Sequence, residues 1–156
     1  MQKLLAILVG TSMLALSSCN ALSFLLPNTV TVALVNPGTL DVDGQLFYDD
    51  DETALNLLND INALDNFLRE FGQQFDFVVP AGDTVTFTRS CNDLQAIFVD
   101  DANVRIAGVV TSDDDTNPIR EGDDFICGST ITYTFVYSDL GLGMNITTGT
   151  GLNLVP

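Results

Sequence analysis

Histidine and tryptophan are absent from this chain of 156 residues, and lysine occurs once, as Lys3. Without histidine there is no Ser-His-Asp or Cys-His nucleophile system, and a chain cleaved beyond residue 3 has no lysine base or Schiff-base amine. Without tryptophan, a sugar cleft loses its largest stacking side chain. Cationic side chains are scarce as a class: five against 21 acids, a formal charge of −16. Nucleic acid and anionic headgroups are repelled by such a surface. The Asp-Thr-Gly pair of an aspartic peptidase is missing, and so is any C-x-x-C spacing. Apolar residues are not scarce. At 46% of the chain they suffice for a single packed domain of this length.

The N-terminus reads as an address. Residues 1–3 (MQK) supply a short positive region, and residues 4–16 (LLAILVGTSMLAL) an apolar run too short to span a bilayer but suited to a signal-peptide core. Leu16-Ser17-Ser18-Cys19 follows at once. This resembles the lipobox of bacterial lipoproteins, where a small-residue stretch precedes a cysteine that is lipidated and becomes the first residue. The resemblance implies a signal peptide over 1–18 and anchoring to a membrane of the cell envelope through a lipid on Cys19. Serine before the cysteine departs from the commoner glycine or alanine. The alternative is ordinary cleavage after Ser17 or Ser18, which leaves Cys19 an odd thiol in an oxidising compartment. Counted from Cys19, 21 acids face four arginines, or −17. Residues 19–27 form a short apolar tether, of which 20–27 (NALSFLLP) reach at most about 26 Å.

Setting Cys19 aside for the lipid leaves Cys91 and Cys127, an even pair in an exported chain and hence an expected structural disulfide. A zinc or redox pair is the rival reading, and it lacks both the spacing and a histidine.

Period-two alternation recurs behind the tether. Residues 29–34, 41–48, 75–79, 83–89, 94–99, 103–110 and 130–137 read as strands, the last with Ile131, Tyr133, Phe135 and Tyr137 on one face. Pro80-Ala81-Gly82-Asp83 punctuates two of them as a turn. Seven or eight short strands predict a mainly β fold, a single immunoglobulin-like antiparallel β-sandwich over residues 28–138. The Gly-rich segment 139–156 offers a last strand near 144–147. Residues 53–71 break the pattern, because apolar positions 54, 57, 58, 61, 64, 68 and 71 follow helical spacing between Asp50-Asp51-Glu52 and Gly72. This predicts a helical crossover packed on its own core.

Carboxylates are the chemistry on offer. The acids cluster at 49–52, 100–101, 113–115 and 121–124. Asp113, Asp115 and Asn117 alternate as in an EF-hand loop, with Glu121 and Asp124 at the ninth and twelfth ligand positions, so calcium is a candidate cofactor here. Pro118 replaces the turn glycine, Asp124 replaces the bidentate glutamate, and the flanks read as strands. A calcium loop on a β scaffold and a solvated acidic loop both stay open; beyond calcium no cofactor is expected. A carboxylate-pair hydrolase is the opposing function class, but nothing in the spacing selects two of the 21 acids.

Three stretches, 79–87 (VPAGDTVTF), 91–96 (CNDLQA) and 120–128 (REGDDFICG), are similar to bacterial envelope lipoproteins of planctomycete type. The resemblance implies a secreted β domain with a cysteine pair over most of 28–138 and transfers no site. The expectation is a lipid-anchored envelope protein, not an enzyme, with a binding or structural role. Its partner would be an envelope protein or polymer, with nucleic acid excluded. A calcium-dependent adhesion module is the alternative.

Overall fold

The computed structural model describes residues 27–50 and 60–152. The lipobox with Cys19, the expected helix start at 53 and the last four residues lie outside them. The order is β1 (Thr29–Val35), β2 (Val42–Asp49), α1 (Ile61–Phe71), β3 (Gln73–Val79), β4 (Thr84–Ser90), a 3₁₀ turn (Cys91–Asp93), β5 (Ala96–Ile106), β6 (Val109–Asp114), β7 (Ile119–Arg120), β8 (Ser129–Val136) and β9 (Asn145–Leu152). One sheet has the order β4-β1-β8-β9; the other runs β3-β2-β5-β6, with β7 also on β5. The fold is mainly β, a two-sheet sandwich, as the alternation predicts, and it carries the expected disulfide between Cys91 and Cys127. The pairings are antiparallel except β1 with β8, which run parallel.

The alternation works as written. Val30, Val32 and Leu34 of β1 and Ile131, Tyr133 and Phe135 of β8 are fully buried, facing Leu46, Ile97 and Val99 of the other sheet. Beneath α1, that second sheet is covered on both faces. Phe47 and Phe98 point outward, stack with centroids 5.4 Å apart, and pack with Leu64 and Leu68 of α1. This explains the unbroken burial from Ala96 to Asp100, where an alternating polar face would otherwise be expected. The helix begins at Asp60, whose carboxylate accepts from the amides of Asn62 and Ala63, and ends as the Gly72 amide donates to Leu68.

Three expectations are corrected in detail. The strands read at 94–99 and 103–110 are one long strand, β5, bent where Asp101 takes a positive φ of 47°. Its far end does not continue to 110 but turns through Ala107 and Gly108 (φ 50° and 81°) into β6. Two consecutive positive-φ residues match the twist of a tight hairpin. The last strand spans Asn145–Leu152 and pairs with β8 over eight residue pairs, longer than the stretch at 144–147.

Candidate functional site

The sandwich has two structured ends. At one, β4 leads into Cys91 and Cys127 leads into β8. Because β1 lies between β4 and β8, the disulfide joins the segments flanking it (Cα–Cα 5.6 Å). The chain enters the domain here. Cys127 Sγ lies 3.5 Å from the Pro27 carbonyl oxygen, the Cys91 amide donates to Asn28 (3.3 Å), and the Gly128 amide donates to Thr29 (3.1 Å). Glu121 stands beside the sulfurs, its carboxylate accepting from Gln95 Nε2 at 2.8 Å, while the same amide group also donates to the Cys91 carbonyl. Among the described residues, Cys91, Glu121 and Cys127 are the group of three metal-capable side chains with ligand atoms within 4.8 Å of one another. Its two sulfurs are bonded to each other and offer a metal no thiolate.

The acids of the calcium pattern are placed separately. Asp113 is exposed on β6 opposite Asn103. Asp115 lies 3.6 Å from an Arg69 nitrogen. Asn117 is exposed between β6 and β7, Glu121 serves the disulfide end, and Asp124 accepts from the Arg120 amide in its own turn (2.9 Å). No three of these carboxylates form a group within ligand distance among the described residues. Elsewhere Asp43, Asp76 and Asp101 share the rim of an open depression of about 400 Å³. There Arg105 Nε meets both Asp43 oxygens at 3.1 and 3.2 Å, and Gln74 donates to Asp76 at 2.9 Å.

Sequence reasoning missed Arg69, the cation that fixes α1 to the sheet. It bonds Asp65 and the buried Asp100 and lies 5.0 Å over the Phe98 ring. The hydrogen bond to Asp100 holds its guanidinium above the usual arginine range, against a smaller opposing effect of burial. No spacing rule links residues 69 and 100.

At the opposite end, Asn36 is fully buried. Its Nδ2 donates to the carbonyls of Leu40 (2.8 Å) and Val79 (3.0 Å), and its Oδ1 accepts from the Gly38 amide (3.1 Å) and Tyr137 OH (2.9 Å). The Tyr137 oxygen in turn accepts from the Leu40 amide (3.1 Å). A Cβ at Gly38 would come within 2.3 Å of the Tyr137 ring, so only glycine admits it. The Asn36-Pro37-Gly38 turn signature was the available signal for this network. The loop after β8 and the start of β6 expose apolar side chains around it: Leu140 is 70% accessible, Val109 66% and Leu142 52%.

No helix among the described residues is long and apolar enough to cross a membrane. No protein-family model matches the chain, nor does any curated protein. Among solved structures it is similar to the crystal structure of the T6SS lipoprotein TssJ1 from Pseudomonas aeruginosa. The two are 14% identical with a TM-score of 0.37, over 79% of this chain and 97% of that one.

Proposed function

We propose that this chain is a lipid-anchored cell-envelope protein whose sandwich plays a non-catalytic binding or structural role. The observation that carries the reading is where the tether meets the domain. Residues 27 and 28 lie against a disulfide that links the two segments flanking β1, so the anchor of residues 19–27 ends on the covalently fixed end. The other end, with Leu140, Leu142 and Val109 exposed, is left to face a partner. A catalytic reading has less to draw on: the chain has no histidine, and Asp43, Asp100 and Asp124 hold structural partners.

The test is fractionation of full-length protein expressed in a bacterium with a lipoprotein-processing pathway. Wild type should partition with detergent-extracted membranes and carry an acyl mass on its N-terminal peptide, and Cys19→Ser should be released as soluble protein. Wild-type protein lacking acyl modification in the soluble envelope fraction would overturn the proposal.

A further inference from the structure

Edge strands expose backbone donors and acceptors, and folded proteins guard them with charge, proline or bulges. In this sandwich β3 carries Asp76, β4 carries Arg89, and β6 carries Asp113 and Asp114. The fourth edge is β9, NITTGTGL, with neither a charge nor a proline, in a chain of net charge −16. It is also the longest of the four, at eight residues.

Its hydrogen-bonding direction can be read from one contact. The Ile146 amide donates to Asp114 Oδ2 (2.8 Å) on β6, away from β8. Residues two apart on a strand direct their amides to the same side. The amides and carbonyls of Thr148, Thr150 and Leu152 therefore also leave β9 on its open side. Among the described residues, only the beginning of this row is satisfied, by β6: besides Asp114 on Ile146, Ser112 Oγ accepts from the Met144 amide (2.7 Å). Residues 147–152 are all exposed, and a Cβ built on Gly149 or Gly151 would meet nothing within 4 Å. The open stretch, 148–152, is about 17 Å long.

We propose that the free edge of β9 at residues 148–152 takes up an extended, lysine- or arginine-bearing segment of another protein as a further strand of the four-stranded sheet. Main-chain hydrogen bonds would supply the affinity, as in other strand additions. Charge selects the partner. Asp123 and Asp124 line a shallow depression of about 220 Å³ together with Thr150 and Leu152, and Asp114 marks the other end of the edge. Arg120 neighbours the same two aspartates on the α1 side, in a separate depression. A second copy is disfavoured by the same acids, because antiparallel pairing centred on Thr150 brings Asp124 toward its own image.

The probe is a fluorescein-labelled peptide, KTVTVTVTK, titrated by anisotropy into the full-length protein in detergent, with ETVTVTVTE as the charge control. Thr150→Pro removes an outward amide and leaves the β8 ladder in place; Thr150→Val removes only the side-chain bond to Asp124. We expect Thr150→Pro to weaken binding at least tenfold, Thr150→Val to leave it within twofold, and the glutamate peptide to bind at least tenfold more weakly. In case Thr150→Pro unfolds, hydrogen exchange on the wild type gives an independent reading. The peptide should slow exchange at Thr148, Thr150 and Leu152 and leave Thr147 and Gly149, which already face β8, unchanged. Equal binding by Thr150→Pro, equal binding of the two peptides, or unchanged exchange at Thr148 and Thr150 would each overturn the proposal. So would a wild-type dimer in sedimentation that Thr150→Pro abolishes, since the occupant would then be a second copy.

Discussion

The two ends of the sandwich solve the same problem by different physics. At the entry end, strands are tied by a covalent bond between Cys91 and Cys127. At the opposite end they are tied by one buried amide, Asn36, and the phenol of Tyr137. A disulfide acts largely by restricting the unfolded chain, whereas a buried polar network acts only once the native geometry has closed around it. The first tolerates local loosening. The second fails if any member is removed, because its partners stay buried without bonds.

Removing the staple should have the largest effect. Cys91→Ala with Cys127→Ala should cost about 3.5–4 kcal/mol on the chain-entropy model, measured by urea unfolding, with a steeper denaturant dependence as the unfolded chain expands. A loss under about 1 kcal/mol would mean that the noncovalent end and the core carry the stability. Asn36→Ala comes next, at about 3 kcal/mol, because the Val79 carbonyl and the Gly38 amide lose the bonds Asn36 makes with them, while the Leu40 carbonyl keeps only the Tyr137 hydroxyl. Hydrogen exchange should then rise at Gly38 and Leu40 but not at Cys91 or Gly128. Acceleration at both ends together would show that the two are one cooperative unit.

Tyr137→Phe should be milder, about 1–2 kcal/mol, since it removes a hydroxyl and keeps the ring. The smallest effect at neutral pH belongs to Tyr133, between the ends, whose hydroxyl lies 3.5 Å from the Ile97 carbonyl. Burial first, and Asp124 second, push its phenol above the ordinary value of 10.0. The folded state therefore keeps a proton that the unfolded state releases above that pH. The stability this represents is full below about pH 10 and falls above it by about 1.4 kcal/mol per pH unit. Urea titrations between pH 9 and 11 should show that slope in the wild type and a shallower one in Tyr133→Phe.

The parts legible in the sequence are those where one face is buried and the other is not. β1 and β8 alternate because each separates the core from solvent, and the disulfide is the even pair of cysteines that remains once Cys19 is set aside. The misread parts lack that asymmetry. β6 holds Asp113 and Asp114 at an exposed edge, where acids cost little and one of them accepts an amide from β9. β9 buries almost nothing, so its threonines and glycines have no apolar period to show. The Asp113–Asp124 spacing matches a ligand loop only where the segment is a single loop. The chain instead runs through β6 and β7, which send Asp115 toward Arg69 and Glu121 toward the disulfide. The Asn-Pro-Gly signature marks a turn at Asn36, but neither its bond to Val79 nor that of Arg69 to Asp100 is legible, because those partners lie 43 and 31 residues away.

The position of β1 also fixes how the domain would bear a mechanical load. A pull transmitted through residue 27 runs along the axis of an interior strand, gripped over seven residue pairs by β4 and five by β8. Ladder bonds lie across the strand axis, so such a pull strains them together, in shear, and does not peel them off one after another. The two gripping strands are linked to each other by the disulfide at the point where the force arrives. A leash attached there tightens against a closed ring before it can draw the first strand out.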